Sequence, residues 1–227
     1  SLWLAFSSMH AVVSGGKAAR ASALVQQGLQ LILQGRYEDA LQVEEQALAL
    51  APRDPNAHSY RGSALLQLGR AQEALASYDR VLKLAPHAAV AHYNRANALQ
   101  RLKRYPEALV SLKHTLKLQP NYGDALSLTG VVLQAMGDTH AALQHYDAAL
   151  KINPNAPDAN YNKGLALLTA GDFTHAWEHY EWRLRWDMAI RTGQSRSIDR
   201  VAPDWDGRPK DKPLLVIPEQ GLGDQIF

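Results

Sequence analysis

Three groups of residues have the types and spacing to do chemistry. His175 and His179 stand four apart in HAWEH, which on a helix puts two imidazoles on one face, the spacing of a two-histidine metal grip. The glutamate placement of an HExxH site is missing and no third ligand is evident, so they read as surface histidines and no metal is expected. Near the end of the chain, PLLVIPEQGLGDQIF runs from an apolar stretch into Gly221, Gly223 and Asp224. Leu214 to Ile217 suit a buried strand, and the glycines suit a turn whose backbone N–H groups meet an anion at a helix N-terminus. The stretch is neither a GxxxxGK phosphate loop nor a complete GxGxxG fingerprint, because Ile226 holds the third glycine place. The third group is amide-rich: Tyr93-Asn94, then Asn97, and again Tyr161-Asn162. A carboxamide donates and accepts at once, so it can hold a peptide backbone of any sequence, and tyrosine adds rigid aromatic area beside it. No Ser/His/Asp order or paired-carboxylate site stands out before the terminal stretch, and no cofactor is expected.

The elements that must position these residues follow from an internal period. Ala40, Ala74, Ala108, Ala142 and Ala176 lie 34 residues apart, and so do Pro52, Pro86, Pro120 and Pro154. Leu31, Leu65, Leu99, Leu133 and Leu167 keep the step, as do Leu48, Leu82, Leu116, Leu150 and Leu184. Gly28, Gly62, Gly130 and Gly164 form a further column in which Ala96 fills the missing place. Within residues 55–88 the apolar positions fall at helical spacing on either side of Gly69, which predicts two helices joined by a tight turn. Small residues in the Gly62 and Ala74 columns predict a close approach of the paired helices. Pro86 should end the second helix, whereas Pro55, Pro157 and Pro106 fall in first turns, where a missing N–H costs little.

The 34-residue step, these columns and the phrases GRYEDALQVEEQALALAP and YNRANALQRLKRYPEAL resemble the tetratricopeptide repeat. The resemblance covers residues 21–190 as five units, 21–54, 55–88, 89–122, 123–156 and 157–190. It implies an all-α fold, a right-handed superhelix of antiparallel helix pairs whose concave groove binds peptides. Lys103 departs from the turn glycine, and Glu44 from the usual aromatic. Residues 1–20 read as an N-terminal leader outside the array.

The family places the first helix of each pair on the concave face, with the second, fifth, sixth and ninth places of each unit turned into the groove. That implies Tyr93, Asn94, Asn97, Tyr161 and Asn162 as peptide-binding residues, in partial likeness to the asparagine ladder of the O-GlcNAc transferase superhelix. Arg61, Arg95 and Lys163 share the seventh place, with Arg101 nearby; such a basic stripe would favour an acidic peptide or nucleotide, while the commoner role of such residues is as amphipathic stems packed between units with wet heads. No fifth place carries the lysine of the clamp that co-chaperones of this family close on C-terminal carboxylates. The fifth unit is richer in aromatics, with Trp177, Trp182 and Trp186 in HAWEHYEWRLRWD, and Trp205 follows in PDWDG. These tryptophans suit docking of a further domain, or self-association through the C-terminal cap.

Beyond a linker at 191–212, residues 213–227 resemble the start of a heptosyltransferase-like glycosyltransferase domain of Rossmann type, cut short at Phe227. The resemblance implies a nucleotide-sugar loop at Gly221 and Gly223, and Asp224 as a catalytic base in a complete domain. The leading expectation is a scaffold that recruits a protein or peptide partner for such an enzyme, with no turnover by this chain; a glycosyltransferase in its own right and an oligomerisation module are the alternatives.

Composition agrees with a soluble scaffold. Of 227 residues 46% are hydrophobic and 20% charged, and the net charge of +2 is too small to argue for nucleic acid or an anionic membrane. SLWLAF is far short of the roughly 20 apolar residues a membrane span needs. With no cysteine, disulfides and thiolate metal sites are excluded, which is compatible with the cytoplasm.

Overall fold

The computed structural model describes residues 2–182, with side chains from Gly16 onward. The linker at 191–212 and the strand and turn expected within 213–227 lie outside the described residues, as do Trp186, Trp205, Gly221, Gly223 and Asp224. Within them every regular element is an α-helix: α1 (Leu2–Leu33), α2 (Tyr37–Leu50), α3 (Pro55–Gln67), α4 (Ala71–Leu84), α5 (Ala89–Arg101), α6 (Tyr105–Leu118), α7 (Gly123–Ala135), α8 (Thr139–Ile152), α9 (Pro157–Ala170) and α10 (Phe173–Tyr180). They pair as α1 with α2, α3 with α4, α5 with α6, α7 with α8 and α9 with α10, and each pair packs on the next as a solenoid. Helix α1 continues without a break through residue 20, so the backbone shows no joint between the expected leader and the first unit.

The turn inside each hairpin is set by the leucine column. The carbonyls of Leu31, Leu65, Leu99, Leu133 and Leu167 each accept from the N–H five residues on, at 2.8–3.0 Å. A second bond nested inside it, such as Gly69 N–H to the Leu66 carbonyl at 3.2 Å, completes a Schellman motif. That closure needs a left-handed residue, supplied by Gly35, Gly69, Gly137 and Gly171 at φ of 74–89°. In the third unit Lys103 takes the same conformation at φ 58°, a cost that glycine would avoid.

The next helix is opened in two ways. Arg36, Arg70 and Arg104 sit at the N-cap, and each guanidinium bonds an acid three residues on: Asp39, Glu73 and Glu107, at 2.6–2.7 Å. In the last two units an aspartate stands there instead, and Asp138 and Asp172 accept directly from the backbone N–H of Ala141 and His175. Between units, His58, His92 and Asn160 turn back on the carbonyls of Pro52, Pro86 and Pro154 at 2.9–3.0 Å, fixing the loop before their own helix.

The glycine column admits rings. A Cβ on Gly62 would lie 2.7 Å from the Tyr78 ring, and one on Gly130 2.6 Å from that of Tyr146. At Gly164 the obstruction is the backbone of Tyr180, also at 2.6 Å. Where the second helix carries Leu112 in the ring's place, Ala96 is tolerated opposite, and both are fully buried. The first unit pairs Gly28 with Glu44, which is 0% exposed and whose carboxylate oxygens find no partner among the described residues. Burial, with a smaller contribution from Asp54, pushes its carboxyl from 4.5 up to about 8.

Three measurements test this packing. Gly62→Ala should lower stability by about 1–3 kcal/mol through overpacking against Tyr78, and adding Tyr78→Leu, which copies the third unit, should restore most of it. Lys103→Gly should raise stability by about 1 kcal/mol, read as a higher melting temperature. The raised Glu44 value means that the folded chain keeps a proton the unfolded chain releases. Its contribution is therefore complete below about pH 4.5, declines as pH rises, and is flat above about pH 8. Comparing wild type with Glu44→Tyr by denaturant titration at each pH should show a gap that widens by on the order of 3 kcal/mol between pH 4 and pH 7.

Candidate functional site

Packing along the array is asymmetric. First helices of successive units touch: α1 with α3, α3 with α5, α5 with α7 and α7 with α9. Among the described residues no second helix touches the next second helix; each touches only the first helix of the following unit. The array therefore bends toward its first helices, and their free faces make its inner surface.

That surface carries the tyrosine–asparagine pairs. Tyr93, Asn94 and Asn97 lie on α5, Tyr161 and Asn162 on α9, and all five are half-buried. The carboxamides of Asn94, Asn97 and Asn162 make no hydrogen bond among the described residues and remain available to a ligand. Both tyrosines are braced by aromatics. Tyr93 lies 5.1 Å from Tyr122, and Tyr161 lies 5.7 Å from Tyr180, which meets Trp177 edge-on at 5.8 Å. Burial, reinforced by Asp124, Tyr122 and Asp158, holds the Tyr93 phenol well above its usual range, so it stays a neutral donor.

The arginines expected beside them turn to the array itself. Arg61 donates to Ser77 Oγ at 2.7 Å and faces Glu45 of the preceding unit at 3.8 Å. Arg95 bonds Asp79 at 2.7 Å and Ser111 at 2.6 Å, and Lys163 pairs with Asp147 at 2.8 Å. Arg101 reaches back to the Leu66 carbonyl at the end of α3, 2.9 Å away. Arg61, Arg95 and Lys163 tie the second, third and fifth units to the ones before, each to an acid on the preceding second helix.

The residues that replace them were not singled out from sequence. Asp124 and Asp158 occupy second places of their units, and Ser127 donates to Asp158 at 3.4 Å. Burial and the Asp158 charge raise the Asp124 carboxyl above its usual range. The third to fifth units together therefore present asparagines and aromatics beside two carboxylates, one in the fourth unit and one in the fifth. A list of second places would have shown this: Ser22, Asn56, Val90, Asp124, Asp158.

At the end of the described array Trp177 is 47% exposed beside Phe173, while Trp182 is half-buried. His175 engages Asp172 at 2.9 Å, and His179 bonds Asn160 Oδ1 at 2.9 Å, so the pair serves a helix cap and an inter-helix link. No three His, Cys, Asp or Glu among the described residues cluster as a metal site would, and no helix there is long and apolar enough to cross a membrane.

Comparison with known proteins agrees with this architecture. Two family models, both described as tetratricopeptide repeat, match residues 25–89 and 87–155, together more than half of the chain. No curated protein sequence matches. Among solved structures, MamA from Desulfovibrio magneticus RS-1 is 23% identical, covers 75% of this chain and 96% of its own, and superposes with a TM-score of 0.63. A thermophilic tetratricopeptide-repeat protein of Thermus thermophilus gives 23% identity, coverage of 75% and 99%, and 0.65. YrrB, described as having an unusual peptide-binding site, gives 20% identity, coverage of 82% and 96%, and 0.59. With its period, its Schellman-closed hairpins and these matches, the chain belongs to the tetratricopeptide-repeat family.

Proposed function

We propose that this chain is a protein-interaction scaffold that holds an extended peptide along the inner surface of its third to fifth units. The observation that carries the reading is the set of open carboxamides, Asn94, Asn97 and Asn162, beside tyrosines braced from behind. A backbone laid along these helices meets donors and acceptors whatever its side chains. Rigid rings contribute contact area at little entropic cost. The likeness to YrrB, a fold-mate described with a peptide site, supports the same reading.

Charge refines the ligand. With Arg61 and Arg95 engaged between units, the acids facing the groove are Asp124 and Asp158. A lysine or arginine of the peptide would find a carboxylate and the Tyr93 ring together, a pairing that strengthens as water is excluded. Peptides with a basic residue are thus favoured over acidic ones. The likeness of EQGLGDQ to a glycosyltransferase turn supports a further role, substrate recruitment for a tethered cytoplasmic enzyme domain docked on Trp177 and Trp182, in which Asp224 would act as base.

Binding to an array of synthetic peptides tests the groove. Wild-type protein should select sequences with a lysine or arginine, and Asn94→Ala, Asn97→Ala, Asn162→Ala should lower affinity for them by about tenfold or more with an unchanged helical circular dichroism signal. Equal affinity of the triple variant would remove the groove from the account.

A further inference from the structure

Among the described residues, the chain of charges that ties the units is broken at one junction. The tie has three members: an acid on the preceding second helix, a cation on the first helix, and a polar residue on that unit's own second helix. Glu45, Arg61 and Ser77 form one, and Asp79, Arg95 and Ser111 the next. The corresponding places at the junction of the third and fourth units are Lys113, Thr129 and His145. Thr129 is too short to bridge, and its hydroxyl turns back to the Ala125 carbonyl at 2.7 Å. Lys113 stands where the acid should be. No carboxylate among the described residues pairs with Lys113 or with Lys117 one turn on.

What remains is a cleft of about 540 Å³ lined by Leu109, Lys113, Leu116 and Lys117 of α6, Thr129 and Leu133 of α7 and His145 of α8. That volume lies in the range of ligand-binding pockets, roughly 300–1,000 Å³. Burial pushes the His145 imidazole below its usual range, so the positive charge at the rim belongs to Lys113 and Lys117. These two are four residues apart on α6, which puts their stems about 5–6 Å apart along one face. Val110, 56% exposed and beside Lys117 on the helical wheel, extends the apolar surface outward. The cleft lies on the second-helix side and shares no residue with the tyrosine–asparagine surface.

We propose that this cleft docks an acidic amphipathic helix of a partner protein. One aliphatic or aromatic side chain enters over the three leucines, and two carboxylates a turn apart on the partner take Lys113 and Lys117. The partner thereby supplies the acid that the third unit lacks. The occupant is a helix because its carboxylates must repeat the spacing of the lysines, and because a cleft between two helices that do not touch receives a third along its length.

A fluorescein-labelled synthetic peptide of about 14 residues, with leucine at i, i+3, i+4 and i+7 and glutamate elsewhere, is the probe. Fluorescence anisotropy should show saturable 1:1 binding to wild type. The variant Lys113→Asp, Thr129→Arg rebuilds the tie found at the other junctions, so its melting temperature should rise while its affinity falls by about tenfold or more. A probe with every glutamate replaced by glutamine should lose as much. Asn94→Ala, Asn97→Ala, Asn162→Ala should leave binding of the acidic probe unchanged, which separates this cleft from the inner surface. Non-saturable binding, equal affinity of the rebuilt variant, or binding of laurate without binding of the peptide would each overturn the proposal.

Discussion

In four of the five hairpins the first helix meets the second at a glycine, where the first has no room for a side chain. The Tyr78 ring lies where a Cβ of Gly62 would be, Tyr146 does the same to Gly130, and at Gly164 two backbones approach directly. This contact sets the separation of the helices, and so the depth at which the leucines of one unit reach the next. The third unit shows that the constraint acts on the pair: a smaller Leu112 permits Ala96. The first unit shows its limit. Glu44 fits the volume but brings a carboxyl with no hydrogen-bond partner among the described residues, and burial favours its protonated form.

Around that steric frame the charged residues act as mortar. Arg61, Arg95 and Lys163 each have a carboxylate on the unit before their own, so a solenoid with an ordinary charge balance leaves few free charges at these seams. Two consequences reach function. The inner surface of the later units is left to asparagines, tyrosines and aspartates. The seam between the third and fourth units, which lacks the tie, opens into a cleft with two lysines that no described carboxylate engages. Both proposed recognition surfaces therefore lie where the repeat pattern is not needed for cohesion, or where it fails.

The fold was legible because a 34-residue step survives in columns whose members face the same environment. Pro55, Pro106 and Pro157 fall in first turns as expected, and Lys103 adopts the glycine's left-handed conformation. The site was legible in part. Tyr93, Asn94, Asn97, Tyr161 and Asn162 stand on first helices as expected, because helical phase alone places them. Of the two readings of the arginines, stems packed between units account for their bonds better than a ligand-facing stripe, since a column of cations looks free until its counter-column is found. That column, Glu45, Asp79 and Asp147, lies 16 residues upstream, a separation no helical wheel compares. Asp124 and Asp158 are harder to see for another reason: they keep the 34-residue step, but their column, Ser22, Asn56, Val90, Asp124 and Asp158, holds no common residue type across the five units.

The missing contact between successive second helices has a mechanical meaning. A beam whose inner fibres are bonded and whose outer fibres are separate bends with little resistance on the outer side. Tightening or relaxing the coil would fall mainly on the gaps between outer helices and on the seats of second helices against the following unit, leaving every hairpin intact. On the proposed reading, such an array serves as a leaf spring that trims its curvature to a bound peptide.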